Sequence, residues 1–205
     1  ELRYAATSPY AVVVYLLIGT IVIFSPMIGN FFVGDDFTWF RWAADCGKTV
    51  CHIDPSRILS YFTDSGGFFF RPGTKIYFYL MYSLFWLNQV VYHVVSIALH
   101  FVFLSLFFFL ARKILKSSRL AALASFLLLI MSGYAEVVFW ISGTGYLFNA
   151  VFILASLLFF ISWEEKKKAV YYIGALVCIS LSLLFHELGV VAPSLLIAYR
   201  AIYGR

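Results

Sequence analysis

The sequence predicts an all-α fold: a polytopic membrane helix bundle of about six transmembrane helices, with a long external loop containing interfacial helices. Three observations carry that expectation. Of 205 residues, 63% are hydrophobic and only 12% charged, and the mean hydropathy is +0.92, outside the range of water-soluble domains. Six apolar runs, near 10–29, 89–111, 120–141, 146–162, 169–185 and 188–203, approach or reach the roughly 17–25 residues a helix needs to cross a hydrocarbon core of about 30 Å. The basic residues between the runs are unevenly distributed, as in proteins oriented by cytoplasmic charge. Too few polar side chains exist to cover a water-facing surface, which excludes soluble enzyme folds, nucleic-acid modules and disordered scaffolds. A chain that opens on Glu1 and stops at Arg205, just after an apolar run, reads as an excerpt of a longer protein.

The first run is long and lacks a following small-residue cleavage pattern, so it is expected to be a retained span rather than a signal peptide. The segment 30–88 then balances Arg41, Lys48, Arg57, Arg71 and Lys75 against Asp35, Asp36, Asp45, Asp54 and Asp64. Within it, the apolar stretch 76–87 reads as a helix lying in the outer interface, where Tyr and Trp rings sit well. Counting it as a seventh span would reverse every later loop. Arg112, Lys113, Lys116 and Arg119 separate the second and third runs, Lys166, Lys167 and Lys168 the fourth and fifth, and Arg200 and Arg205 follow the sixth. With Arg3, ten of the fifteen basic residues fall on one side, which is therefore assigned to the cytoplasm. The protein is expected to be multi-pass in a cell or inner membrane, with a cytoplasmic amino terminus and residues 30–88 external. Cys46 and Cys51, with four residues between them in that loop, leave open a local disulfide or two thiols. Cys178 reads as inert core, and His93 and His100, seven apart on one helix face, as packing or hydrogen-bonding groups rather than metal ligands.

Ionisable groups at membrane depth are costly unless they serve a cavity or a partner. Four sets map to the external side: Asp35-Asp36 after the first span, Arg71-Pro72 with Lys75, Glu136 toward the end of the third span, and His186-Glu187 between the fifth and sixth. Read along a continuous helix, Glu136 lies about 25 Å from Arg119. Together the sets predict a water-accessible acidic cleft with a basic rim. Each also has a structural reading. The aspartates are good helix caps, Arg71 and Lys75 suit lipid headgroups, and Glu136, His186 and Glu187 suit an internal hydrogen-bonded group.

In order along the chain, Asp35-Asp36, Phe70-Arg71-Pro72, Tyr92-His93 through Leu99-His100, Glu136-Val137-Val138-Phe139-Trp140-Ile141-Ser142-Gly143, and His186-Glu187 with Pro193 resemble the amino-terminal half of a polytopic glycosyltransferase of the GT-C type. The likeness is to the transmembrane O-mannosyltransferases with tetratricopeptide repeats and their bacterial relatives. It covers nearly the whole chain. The resemblance implies that residues 1–205 are the amino-terminal part of a GT-C transmembrane module, with 30–88 as the first external loop. It also implies an integral membrane transferase that uses a polyprenyl-phosphate-linked sugar, its active site on the external face and an acidic catalytic residue in the first loop. The acceptor would be a hydroxyl of a protein or glycan.

That chemistry needs a base for the acceptor proton, charge to stabilise the departing phosphate, and in-line positioning. Asp35 is the candidate general base, with Asp36 orienting it or the pair holding a divalent metal. Arg71 suits bidentate contact with phosphate oxygens and Lys75 supplies a mobile point charge, both at headgroup depth. Glu136, His186 and Glu187 would line the supporting acidic cleft. No Gly-rich phosphate signature points to a soluble nucleotide sugar. The competing class is a membrane transporter or a non-catalytic subunit of a membrane complex, in which Glu136, His186 and Glu187 form an ion path.

Overall fold

The computed structural model describes residues 8–43, 53–64, 69–131, 133 and 135–204. Cys46, Cys51, Arg3, Asp45, Lys48 and Arg205 lie outside the described residues, and the disulfide expectation with them. Every regular element among the described residues is a helix, with no strand.

Ser8 starts α1, Pro9–Phe24, by accepting the Ala11 N–H at 3.2 Å, and Pro9 occupies the first-turn position that lacks an amide partner in any case. Pro26 cannot continue the α-helical bonding, and the chain tightens into the 3₁₀ segment Ser25–Gly29. Among the described residues of the predicted loop lie three short helices: α2 (Asp36–Ala43), α3 (Pro55–Ser60), begun by the Asp54 cap, and α4 (Pro72–Phe85). The longest helix, α5 (Gln89–Leu115), ends on Lys116 in the left-handed region at φ 51°, which closes the helix and turns the chain. Ser117 then caps α6, Ser118–Ile130.

At this point the structure departs from the sequence reading. The run 120–141 is not one continuous helix: α6 stops at Ile130, and a five-residue helix, α7 (Ala135–Phe139), follows, then the 3₁₀ turn Ile141–Gly143. Gly133 weakens the intervening helix, and the 25 Å placement of Glu136 along a continuous axis fails with it. The remaining elements are α8 (Thr144–Lys166), α9 (Ala169–Phe185), a 3₁₀ turn Glu187–Val190 and α10 (Val191–Tyr203).

Among the described residues, three segments are long and apolar enough to cross a membrane: Pro9–Gly29, Gln89–Leu115 and Ile141–Lys166. The apolar helices Ser118–Ile130 and Ala169–Phe185 are shorter. Much of the outer surface is apolar, including Ile18 and Val22 of α1, Leu120, Leu123 and Leu127 of α6, and Ile173 and Val177 of α9, as expected of helices whose solvent is hydrocarbon.

The interior has three apolar clusters. One joins α1, α5 and α6 through Leu16, Leu104, Phe108 and Leu129. A second joins the far part of α5 to α8, α9 and α10 through Leu110, Ile161, Ala175 and Leu196. The third is aromatic and docks the loop helices α2 and α4 onto α5 through Phe32, Phe40, Phe78 and Tyr92, with Trp39 stacked on Phe78 at 5.2 Å. The helix α4 therefore behaves differently from the interfacial helix expected. Tyr77, Tyr79 and Tyr82 are buried inside the protein, because a helix apolar on most sides is stabilised by covering all of them. Cys178 is buried and unpaired, as expected. His93 bonds the Asn30 carbonyl at 3.0 Å through Nε2, and His100 packs edge-on to Phe24 at 4.9 Å. Both therefore have packing or hydrogen-bonding contacts of the expected kind.

Candidate functional site

Four elements meet at one end of the bundle: the start of α2, the start of α4, the turn into α8 and the end of α9. Gly34, at φ +53°, turns the chain where a side chain would be strained and delivers Asp35-Asp36 to α2. The two aspartates then take opposite situations. Asp36 is 1% exposed. Its Oδ2 accepts the Val33 N–H at 3.0 Å and its Oδ1 accepts the Ser142 N–H at 2.6 Å, fastening α2 to the Ile141–Gly143 turn 106 residues away. Burial raises its pKa above the ordinary carboxylate value, and the two amides oppose that shift. Asp35 is exposed, and its backbone carbonyl accepts the Thr38 and Trp39 N–H groups of α2. At this start the Asp35 backbone accepts helix amides, while the Asp36 side chain bonds Val33 ahead of the helix and Ser142 across the fold. The Asp35 carboxylate faces outward.

Arg71 and Glu187 form a bidentate pair, Nε to Oε2 and Nη2 to Oε1, both at 2.7 Å. The guanidinium lies over Phe69 at 4.2 Å and near Tyr146 at 5.9 Å. Arg71 holds the Glu187 carboxyl down to about 2, well below its usual value. Beside it, His186 packs against the Tyr146 ring at 4.1 Å. Its Nδ1 accepts the Leu188 N–H at 3.1 Å, so the neutral ring carries its proton on Nε2, which is buried without a hydrogen-bond partner among the described residues. Burial, then the Arg71 charge, lowers the His186 pKa.

Backbone acceptors hold the surround in place. Thr74 donates its hydroxyl to the Phe185 carbonyl at 2.7 Å, and Asn149 donates to the Ser182 and His186 carbonyls at 2.9 and 3.1 Å. These bonds need close approach, and a Cβ at Gly145 would stand 2.8 Å from the Thr74 hydroxyl. Beneath Tyr146 and Leu188 an apolar pocket of about 430 Å³ opens between α5, α8 and α10, lined by Phe103, Leu147, Ile153 and Val191.

Apart from Asp35-Asp36, the predicted residues are shared among three neighbourhoods. Arg71, His186 and Glu187 are in contact. Lys75, one helical turn from Arg71, turns instead toward Trp42, its ammonium 5.5 Å from the ring, and lines a polar cleft of about 680 Å³ with Arg41, Arg57 and Asp64. Its burial lowers its pKa, and Asp64 opposes the shift. Glu136, exposed on α7, faces another pocket of about 650 Å³ beside Asn30, Gly34 and Trp140, rather than joining His186-Glu187. Among the described residues, no group of three His, Cys, Asp or Glu side chains forms a cation site. Both Asp36 oxygens already accept backbone amides, which leaves Asp35 the carboxylate better placed to meet a ligand.

Sequence reasoning left four participants unassigned. Ser142 lay inside the quoted Ile-Ser-Gly motif but acts through its backbone, which no side-chain pattern signals. Thr74 and Tyr146 are ordinary residue types in apolar helices. Arg57 was counted only as loop charge. Comparison with known proteins finds no family model, curated protein or solved structure that matches the chain.

Proposed function

We propose that the chain is the amino-terminal part of a polytopic GT-C glycosyltransferase that moves a sugar from a polyprenyl-phosphate donor to an acceptor hydroxyl of a protein or glycan. In this reading about six segments cross the membrane, with α6, α9 and α10 joining the three longer apolar segments. The Asp35, Arg71 and Glu187 end faces outward, and the Lys113 and Lys167 end faces the cytoplasm with the amino terminus. The asymmetry of basic residues supports that orientation.

One observation carries the reading. Ionisable residues scattered along the chain are gathered at one end by contacts spanning 106 and 116 residues, Asp36 to Ser142 and Arg71 to Glu187. A chain that needed only to be inserted in a membrane would gain little from burying and pairing these charges, since such groups are expensive at depth and favour functional positions.

The reaction divides among the residues as follows. The Asp35 carboxylate takes the proton of the acceptor hydroxyl as that oxygen bonds the anomeric carbon. The bond from that carbon to the phosphate oxygen breaks, and its electron pair leaves with the prenyl phosphate. Asp36, fixed by two amides, sets the position of Asp35. The cations Arg71 and Lys75 offset the charge of the departing phosphate, and Glu187 with His186 fixes the Arg71 fork. Glu136 adds a carboxylate beside the Gly34 turn.

Sugar transfer by the full-length, membrane-inserted protein tests the assignment. Asp35→Asn keeps the size of the side chain but cannot take the proton, so turnover is expected to fall on the order of 10²- to 10⁴-fold while donor binding survives. Full transfer activity in Asp35→Asn and in the Asp35→Asn, Asp36→Asn double variant would overturn the mechanism.

A further inference from the structure

The pocket beside Gly34 lies between two separate loops, and one carboxylate ties them together. Phe31, Val33 and Gly34, between α1 and α2, form one wall, and Glu136, Phe139 and Trp140, on α7 and the turn after it, form the other. Asp36 accepts the Val33 N–H at 3.0 Å from the first wall and the Ser142 N–H at 2.6 Å, two residues beyond the second. Buried residues hold each wall from behind. Phe139 packs on Phe24 at 5.7 Å and Phe31 on Phe32 at 5.2 Å, Ser96 donates to the Val138 carbonyl at 2.9 Å, and His93 bonds the Asn30 carbonyl at 3.0 Å. The rings remain open on their other side: Phe31 is 57% exposed and Phe139 44%. A lining fixed from behind and open in front is a preformed surface for a ligand. Its volume of about 650 Å³ falls within the range of small-molecule clefts, about 300–1,000 Å³.

The chemistry of that lining selects the ligand. Among the described lining residues Glu136 carries the one formal charge, and neither its carboxylate nor the Asn30 side-chain amide has a hydrogen bond or ion pair within the described residues. Asp35 follows Gly34 directly, about 3.8 Å from Cα to Cα, so the carboxylates on this side oppose a phosphate. The pocket offers ring faces for C–H groups, and for hydroxyls it offers a carboxylate that accepts and an amide that both donates and accepts. A pyranose presents that combination, apolar C–H faces edged with hydroxyl groups. A quaternary ammonium would use the rings and the carboxylate but leave the amide idle. We infer that this pocket binds a neutral sugar ring, stacked on the Phe139 and Trp140 rings with its hydroxyls bonded to Glu136 and Asn30. The pocket adjoins Asp35, where the proposed transfer needs a sugar, and its role in transfer rests on that reading. The binding itself does not require turnover.

The test is saturation-transfer NMR on the purified full-length protein in a polyoxyethylene detergent, which contains no sugar, with the methyl α-glycosides of glucose, mannose and galactose as probes. At least one glycoside is expected to take up saturation at its ring C–H protons. Trp140→Ala is expected to weaken its binding about 10-fold, the scale of a lost ring face. Glu136→Gln is expected to weaken it about 3- to 10-fold, since the amide still accepts a hydrogen bond but without the charge. Trp140→Phe, which keeps a ring, should retain most of what Trp140→Ala loses. Glu136 is exposed, so Glu136→Gln reports on the site even where a Trp140 variant fails to fold. Displacement of the glycoside by a farnesyl-phosphoryl hexose identifies the donor's sugar as the occupant, and simultaneous binding of both identifies an acceptor's. Absence of saturation in all three glycosides, binding unchanged in both Trp140→Ala and Glu136→Gln, or displacement of the glycoside by tetramethylammonium overturns the site. Glycoside binding sensitive to both variants in a protein that transfers no sugar would leave the pocket standing and sink the transferase reading alone.

Discussion

Two ends of the same bundle hold ion pairs, and they hold them differently. Near α4 and α9, Arg71 meets Glu187 in a bidentate fork, its side chain 11% exposed and backed by aromatic rings. At the opposite end, Lys113 meets Glu165 at 2.7 Å with side chains 34% and 50% exposed, and Lys167 meets Glu164 three residues away on the same chain segment. The residue types are similar, so the difference lies in their surroundings. At the second end Lys113 and Glu165 meet in solvent, where pairing and hydration nearly balance, and only Glu164, at 14% exposed, is well covered. At the first end aromatic rings pack on Arg71, and its fork holds the half-exposed Glu187 carboxylate in one geometry. Fixed charge is what a binding or reacting site requires, while the other end matches a solvated, positively charged face.

The sharpest way to break this contrast is to remove Asp36. Asp36→Ala leaves the Val33 and Ser142 amides without their acceptor in a buried place, and is expected to cost about 2–4 kcal/mol, read as a clear fall in the midpoint of thermal unfolding in detergent. A change as small as that of a surface substitution would mean that this end is no more constrained than the other. A smaller effect is expected from Arg71→Ala, about 1–2 kcal/mol, discounted because the Glu187 it strands is more than half exposed and rehydrates. Lys113→Ala should cost less than about 1 kcal/mol, and that cost should shrink further in high salt. Equal losses for the Arg71 and Lys113 variants would erase the distinction. The smallest effect is a pH window. Because Arg71 depresses the Glu187 carboxyl from 4.5 to about 2, the stability it contributes is fully present above pH 4.5 and is lost as pH falls through about 2. The stability difference between wild type and Glu187→Gln should be constant above pH 4.5 and shrink only across that interval.

The helices were legible because hydrocarbon burial leaves long apolar runs. Those near 89–111, 146–162 and 169–185 correspond to α5, α8 and α9 within a few residues. The break after Ile130 was not legible, since a single Gly in an apolar run lowers helix propensity without fixing where the bonds stop. The burial of α4 was not legible either. Tyr-rich amphipathic composition serves an interface and a protein interior equally well. The site residues were found by type and by their place at helix ends, but their partners were not. Nothing in Phe-Arg-Pro-Gly-Thr-Lys says that its arginine meets a glutamate and its lysine a tryptophan, because that division depends on which helix passes on each side of α4.

The Arg71–Glu187 contact also has a meaning in time. A ribosome adding roughly 5–20 residues per second completes Glu187 about 6–23 s after Arg71. During that interval α4 exists without α9 and the turn that follows it, and Thr74 waits equally long for the Phe185 carbonyl. Apolar packing within the first five helices can proceed as each emerges, but this part of the polar end can form only once α9 is in place. Assembly therefore has an order: a scaffold first, and then a closing step that joins the oldest loop to the newest turn. A truncated chain ending before α9 would keep much of its aromatic cluster and lose both of these contacts.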